Sequence, residues 1–134
     1  MYNKYLIKSF STGRIDNRMN NQDGNIHIKC SFNNTYICLT DKQGNVKTWA
    51  SGGSSGFKGS RRSTTFAAQI AAEKIGLRAK ELGFSNIDIY IKGLGSGRRS
   101  VPKGLTKVGL NVLSINDVTP LPHNGCRPRK RRRP

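Results

Sequence analysis

Glycine and arginine occur together in one short segment that could bind phosphate groups. Residues 92–99 read Lys-Gly-Leu-Gly-Ser-Gly-Arg-Arg and lie between a predicted strand and a predicted helix. The free N–H groups and the dipole at the start of a helix attract an anion, and glycine lets a ligand approach the backbone closely. A dinucleotide-binding loop would need a glycine where this chain has Arg98. The segment therefore predicts contacts with nucleic-acid phosphates, with a plain strand-to-helix turn as the alternative. The predicted residues are Lys92, Gly93, Gly95, Gly97, Arg98 and Arg99.

A second segment, residues 51–62, has the same composition. It consists mainly of serine and glycine, followed by one aromatic residue and three basic ones. Such loops can follow an RNA backbone, and an aromatic ring can stack on a base. A surface loop without a ligand is the alternative interpretation. The predicted RNA contacts are Gly52, Gly53, Gly56, Phe57, Lys58, Arg61 and Arg62.

The carboxyl-terminal residues 119–134 are basic and rich in proline. No acidic residue follows Asp117, and six of the basic residues lie within 127–133. Proline prevents regular structure, and a run of like charges cannot fold on itself. We predict an extended tail that becomes ordered on RNA, where charge contacts offset its loss of entropy. The tail residues predicted to bind RNA are His123, Asn124, Arg127, Arg129, Lys130, Arg131, Arg132 and Arg133.

The overall composition favours a polyanionic partner. The chain has 134 residues, of which 24 are Lys or Arg and 7 are Asp or Glu, so its net charge is +17. Such a charge destabilises the compact state by self-repulsion, and binding a polyanion relieves it. No stretch approaches the roughly 18 apolar residues of a membrane helix. Three cysteines without close spacing argue against a disulfide framework and against zinc. We expect no membrane, no small-molecule substrate, no metal and no cofactor.

The acidic residues offer little for catalysis. A two-metal nuclease needs several carboxylates at one site. Three of the seven acids, Asp41, Asp88 and Asp117, lie near predicted strands, and Asp88 alternates with isoleucines that should be buried. We therefore expect that the chain is not an enzyme. A nuclease of the ribonuclease H-like type is the alternative, and it depends on convergence of these three aspartates.

The elements that must position these residues follow from hydrophobic periodicity. Ile26, Ile28, Cys30 and Phe32 alternate with polar residues and predict a strand. Further strands are predicted at 35–40, 46–50, 87–91 and 110–115. A helix capped by Ser63 or Thr64 should end at Gly83, with Ala67, Ile70, Ala71, Ile75, Ala79 and Leu82 on its buried face. A second helix is predicted at 98–108.

The predicted order, β-β-β-α-β-α-β, indicates an α/β fold. A meander followed by two crossovers gives a mixed five-stranded sheet with helices packed on it. The second predicted strand, 35–40, is more continuously apolar than the first, so we expect it to be the more central of the two in the sheet. The sequence predicts three regions: a flexible arm at 1–25, a globular α/β domain at 26–118 and a basic RNA-binding tail at 119–134.

Four segments resemble the ribosomal protein S11 family of the small subunit, in its bacterial and organellar form. They are residues 31–35, 56–62, 66–73 and 117–128, and the resemblance runs from about residue 26 to the end. It implies a ribonuclease H-like fold without the catalytic acids. It also implies a non-enzymatic protein on the platform of the small subunit, near the messenger exit channel. There it would bind ribosomal RNA and lie beside other platform proteins.

The chain departs from the family pattern in the glycine and arginine segment 92–99 and at its start. Leu94 and Ser96 stand where the family usually has prolines, and Arg99 stands where an acid usually follows. Residues 1–25 match no family pattern, and their Asn, Lys and Ile bias predicts an organelle, mitochondrion ahead of plastid, with a bacterium as the alternative. A free-standing nucleic-acid-binding module outside the ribosome is a third hypothesis for the function.

Overall fold

The computed structural model describes residues 22–134, and its element order is the predicted β-β-β-α-β-α-β. Two short 3₁₀ helices, Gly59–Ser63 and Ser96–Arg98, precede the two α-helices. The strands and α-helices are β1 (Gln22–Cys30), β2 (Thr35–Asp41), β3 (Val46–Ser51), α1 (Thr65–Glu81), β4 (Phe84–Lys92), α2 (Ser100–Val108) and β5 (Asn111–Asp117).

The strands form the predicted mixed five-stranded sheet, in the order β3-β2-β1-β4-β5. β1 pairs antiparallel with β2, and β2 pairs antiparallel with β3. β1 pairs in parallel with β4, and β4 with β5. The central strand is thus β1, and the expectation that the second strand would be the more central one was wrong. β1 is central because it is the strand to which both the hairpin and the first crossover return.

The core lies between one face of this sheet and the two helices. Alternate isoleucines of β1 and β4, among them Ile26, Ile28, Ile87 and Ile89, are at most 2% exposed. Helix α1 packs on them with Ile75 and several alanines. The small alanine side chains let the helix backbone approach the sheet closely. The period of two in the strands therefore predicted the buried face correctly. Neither helix in the described region 22–134 has the length and apolar character needed to cross a membrane.

The first strand differs from its prediction at both ends. It begins at Gln22, so residues 22–25 belong to the sheet rather than to the predicted arm, while residues 1–21 lie outside the described part. Its polar start hides the alternation, but Gln22 pairs with Phe84 and Gly24 pairs with Ile87. It ends at Cys30, so Phe32 lies in the following turn and is 78% exposed instead of buried.

The carboxyl end of α1 also corrects the predicted buried face. The helix stops at Glu81, and Leu82 follows in a cap position where its side chain is 46% exposed. Ile70 is half-buried, while Ala68 and Ala72, which were not predicted, are fully buried. The face in contact with the sheet is thus rotated toward the small residues, because they permit the closest approach.

Thr64 caps the amino end of α1 and gives a first testable prediction. Its hydroxyl oxygen accepts a hydrogen bond from the Ala67 N–H at 3.2 Å, which satisfies one of the unpaired donors of the first turn. Thr64→Ala is expected to lower the free energy of unfolding by about 1 kcal/mol. Urea unfolding measures this loss, and Thr64→Ser is the control that keeps the cap. Equal midpoints for the alanine variant and the wild type would contradict the assignment.

Candidate nucleic-acid interface

The predicted site residues collect at the edge of the sheet where the three parallel strands end. β1 ends at Cys30, β4 at Lys92 and β5 at Asp117, and both α-helices begin on this side. In open α/β sheets, ligands bind outside the carboxyl ends of the strands. We call this region the carboxyl edge. It comprises the turn 31–34, the first loop 52–64, the second loop 93–99 and Val118, which joins β5 to the tail.

Direct contacts join the two loops that the sequence predicted separately. The Ser96 hydroxyl in the second loop donates a hydrogen bond to the carbonyl oxygen of Ser63 in the first. Gly97 packs so closely that an added Cβ would lie 2.4 Å from Thr35 Oγ1 and 3.0 Å from the Ala68 methyl. Gly52 of the first loop is similarly packed against the Arg62 carbonyl. The loops therefore form one surface rather than two independent segments.

The glycines of the second loop are required by the fold itself. Gly93 has φ +98°, and a Cβ there would lie 2.1 Å from the Cys30 carbonyl oxygen. A Cβ on Gly95 would lie 2.3 Å from the Ser31 carbonyl oxygen. The Gly95 N–H donates a hydrogen bond to the Cys30 carbonyl oxygen at 3.1 Å. These close contacts are within the chain, so they account for the glycines without a ligand. Gly53 and Gly56, in contrast, are exposed in the first loop.

Arg98 connects the second loop to the start of the tail. Its guanidinium donates to the Gly93 carbonyl oxygen and to Asp117 Oδ2, the latter at 2.7 Å. The Thr119 hydroxyl donates to the other carboxylate oxygen of Asp117 at 2.6 Å. Thr119 and Arg98 together hold the pKa of the Asp117 carboxyl well below its usual range. Arg98 was predicted to bind phosphate, and in this structure its hydrogen bonds hold the loop and the tail together.

Other predicted basic residues remain exposed at the carboxyl edge. Within residues 22–134, none of Lys58, Arg61, Lys92 and Arg99 forms an ion pair or a side-chain hydrogen bond. Arg62 is half-buried, and its Nε–H donates to the Gly59 carbonyl oxygen at 3.2 Å. The turn, both loops and the tail contain no acidic residue. The only acid that adjoins them in the described region is therefore Asp117, which Arg98 neutralises.

The aromatic residues at this edge include two that the sequence analysis missed. Phe57 was predicted to stack on a base, and its ring is half-buried against Phe66 in an edge-to-face contact with centroids 5.8 Å apart. Phe66 is 62% exposed, and Phe32 is 78% exposed in the turn. The period of two predicted that Phe32 is buried in the core, so the sequence analysis did not identify it as a surface aromatic residue. A turn signal at Asn33-Asn34 was the one available indication that the strand stops earlier.

The tail extends from this edge without regular structure. Residues 119–134 are all exposed, and no hydrogen bond within the described region involves residues 120–134. His123 precedes a bend at Asn124, whose φ of 56° is left-handed, and Gly125 follows. The predicted basic residues 127–133 therefore leave the folded domain with their side chains accessible.

The three aspartates required for the nuclease alternative do not converge. The Asp88 carboxylate binds the ammonium of Lys42 and the Ser114 hydroxyl, whereas Asp117 binds Arg98. The Asp41 carboxylate has its own partners, Asn45 and Lys47. Asp117 pairs with Ile91 in the sheet, three positions along β4 from Asp88, or about 10 Å. Residues 22–134 contain no group of three His, Cys, Asp or Glu side chains that could hold a metal ion. The condition for that alternative is therefore not met in the described region.

The Arg98–Asp117 pair makes acid stability a second prediction. Because the folded state lowers the pKa of Asp117, its contribution to stability is fully present above the ordinary aspartate pKa of about 3.9. That contribution is lost as the pH falls toward the lowered value. Asp117→Asn should therefore unfold at lower urea than the wild type at pH 7, and the two midpoints should converge in acid. A gap that stays constant between pH 7 and pH 2 would contradict this role.

Comparison with known proteins gives consistent matches along the described region. The family described as Ribosomal protein S11 matches residues 24–133. Small ribosomal subunit protein uS11 of Leptothrix cholodnii is 58% identical over 116 residues, which cover 87% of each chain. The protein of that name from Methylococcus capsulatus is 53% identical over 125 residues, covering 92% of this chain and 98% of the relative. The one from Colwellia psychrerythraea is 56% identical over 111 residues, covering 83% and 86%.

These relatives bear on the predicted compartment. All three come from bacteria. They do not support the mitochondrial ribosome that was expected from the composition of residues 1–25, and they favour the bacterial alternative.

Proposed function

This chain belongs to the ribosomal protein S11 family, and we propose that it binds small-subunit ribosomal RNA through its carboxyl edge and its basic tail. The family is a structural constituent of the small ribosomal subunit and is not catalytic. The observation that carries the proposal is the acid-free surface formed by the turn, the two loops and the tail. The exposed cations on its folded part are Lys58, Arg61, Lys92 and Arg99, with Arg62 beside them.

The geometry suits contacts with the RNA backbone. Each phosphate that a Lys or Arg neutralises releases condensed counterions, and this release supplies much of the binding free energy. Contacts to phosphates fix the position of a protein on RNA without reading its sequence. The tightly packed glycines and the Ser96–Ser63 hydrogen bond hold the loops in place, so the folded cations need little ordering on binding. The tail, in contrast, must become ordered on the RNA.

The resemblance to the family supports a more specific position. We infer that the protein lies on the platform of the small subunit of a bacterial-type ribosome, near the messenger exit channel and beside other platform proteins. The support is the motif at 117–128, which starts at the Arg98–Asp117 ion pair and continues into the tail. That ion pair holds the end of β5, from which the tail leaves the carboxyl edge.

Sedimentation with small subunits tests the proposed function. The tagged chain should co-sediment with small subunits through a gradient at high salt. Arg61→Gln, Arg62→Gln and Arg99→Gln combined should shift it to the top of the gradient at a lower salt concentration. The matched control removes equal charge from the last turns of the helices, away from the carboxyl edge: Arg78→Gln, Lys80→Gln and Lys107→Gln. A wild-type pool that stays at the top, or equal shifts for both triple variants, would overturn the proposal.

RNA competition separates this function from a free-standing nucleic-acid-binding module. At the same salt concentration, a ribosomal protein should bind one folded segment of small-subunit ribosomal RNA more tightly than a random RNA of equal length. A free-standing module would bind both equally, because phosphate contacts alone carry no sequence information. Filter binding at several salt concentrations distinguishes the two functions. If binding is purely electrostatic, the affinities for both RNAs fall by the same factor as the salt concentration rises.

A further inference from the structure

The sheet has a second face, on the side opposite the helices, that carries a row of aromatic side chains. Across four neighbouring strands, Trp49 pairs with Cys38, Cys38 with His27, and His27 with Tyr90. The His27 and Tyr90 rings stack with centroids 5.2 Å apart and 15° between their planes. Trp49 is 65% exposed. The row is interrupted by the small Cys38, which leaves space between the Trp49 and His27 side chains.

The next row toward the carboxyl edge is basic. Tyr36 pairs with Lys29, and Lys29 pairs with Lys92. Tyr36 is 48% exposed, and both lysines are exposed without an ion pair in the described region. A groove of about 200 Å³ lies among these side chains. It is lined by His27, Ile28, Lys29, Tyr36, Cys38, Lys92 and Val118.

The acidic groups of this face lie at the other end of the strands. Asp88 is held by Lys42 and Ser114, and Asp23 accepts a hydrogen bond from the Asn86 amide at 3.0 Å. The groove end next to the carboxyl edge therefore has two lysines and no acid. It is also continuous with the proposed RNA surface, because Lys92 ends β4 there and Val118 directly precedes the tail.

We propose that this open face binds unpaired nucleotides of RNA. Their bases would stack on the rings of Tyr36, His27 and Trp49, and their phosphates would contact Lys29 and Lys92. Aromatic rings interleaved with cations on a sheet are the chemistry that binds single-stranded RNA, since every base offers a planar face to stack on. The inference rests on the proposed function, and it adds base contacts to the phosphate contacts of the carboxyl edge.

Two other occupants fit the face less well. Residues 1–21 contain Lys4, Lys8, Arg14 and Arg18 against Asp16, so their net positive charge would be repelled by Lys29 and Lys92. A protein partner is less suited because lysines are depleted in the cores of protein interfaces. RNA offers bases that stack on the rings and phosphates that pair with the ammonium groups.

Trp49 is the single tryptophan of the chain and reports directly on the face. Its fluorescence should be quenched, to saturation, by a hexamer of adenylate at low salt. An abasic hexamer with the same phosphates should bind the carboxyl edge and quench little. Tyr36→Leu should weaken adenylate binding about 10-fold, whereas Tyr36→Phe, which keeps the ring, should stay within about 2-fold of wild type. Far-ultraviolet circular dichroism checks that both variants are folded.

The outcomes distinguish this inference from the proposed function. Equal affinity and equal quenching for the adenylate and abasic hexamers would overturn the stacking site, while binding of both at the carboxyl edge would leave the proposed function intact. If quenching appears only after residues 1–21 are deleted, the chain's own amino-terminal segment covers the face, and the inference fails. If neither oligonucleotide nor ribosomal RNA binds at all, the proposed function fails with it.

Discussion

Replacing all six basic residues of 127–133 by glutamine should lower the affinity for small-subunit ribosomal RNA at least about 100-fold at low salt, while the domain stays folded. The tail is exposed and, beyond Thr119, makes no hydrogen bond in the described region, so the core does not depend on it. Losing six phosphate contacts should also reduce the slope of log affinity against log salt by roughly 4 to 5. Filter binding at several salt concentrations measures both quantities.

A charge-matched pair of variants separates the tail from general charge. Arg129→Gln, Arg131→Gln and Arg133→Gln remove three charges from the tail, and Arg78→Gln, Lys80→Gln and Lys107→Gln remove three from the last turns of the helices. The tail variant should lose most of the affinity and of the salt slope. Equal losses in the two variants would mean that net charge alone, rather than the tail, holds the RNA.

Gly93→Ala should destabilise the fold by about 3 kcal/mol. A Cβ at this position lies 2.1 Å from the Cys30 carbonyl oxygen, which is backbone and cannot swing away. The residue also has φ +98°, which costs an L-residue roughly 1–2 kcal/mol before any clash. Overpacking adds about 1–3 kcal/mol. Because the second loop must shift, RNA binding at the carboxyl edge should weaken as well. Urea unfolding measures the loss of stability.

Gly44→Ala is the control for the clash at Gly93. Gly44 has nearly the same backbone angle, φ +93°, but an added Cβ meets nothing within 4 Å. Its substitution should therefore cost about 1 kcal/mol, from the backbone angle alone. The difference of roughly 2 kcal/mol between the two variants isolates the contact with Cys30. If both substitutions lower the free energy of unfolding equally, the second loop does not pack closely against β1 at Cys30.

The fold was predictable because its signals are local. The alternation of Ile26 and Ile28 with polar residues, and of Ile87 and Ile89, marks strands buried on one face. The order of strands and helices then leaves few sheet topologies. The errors lie at element ends: polar Gln22 hides the start of β1, and apolar Phe32 was placed in a strand that had already ended. Periodicity does not mark where the backbone stops pairing.

The site was predictable in its parts but not in its assembly. Each glycine and arginine loop is visible as composition, and the structure brings both loops to one edge. The Ser96–Ser63 and Arg98–Asp117 contacts join residues far apart in the chain, so no local pattern reveals them. For the same reason, the sequence did not show that Arg98 pairs with Asp117, while its contact with RNA phosphate stays a prediction. The aromatic row of the open face depends on strand order and register, and neither can be read from spacing.

A density map of the small subunits that carry this chain shows directly whether the carboxyl edge and the tail bind ribosomal RNA. We predict that the carboxyl edge faces ribosomal RNA, with phosphates beside Lys58, Arg61 and Arg99. We also predict that the tail lies ordered along the RNA from Asp117 onward. A map in which both loops face solvent and the tail has no ordered contact with RNA would overturn the proposed RNA interface.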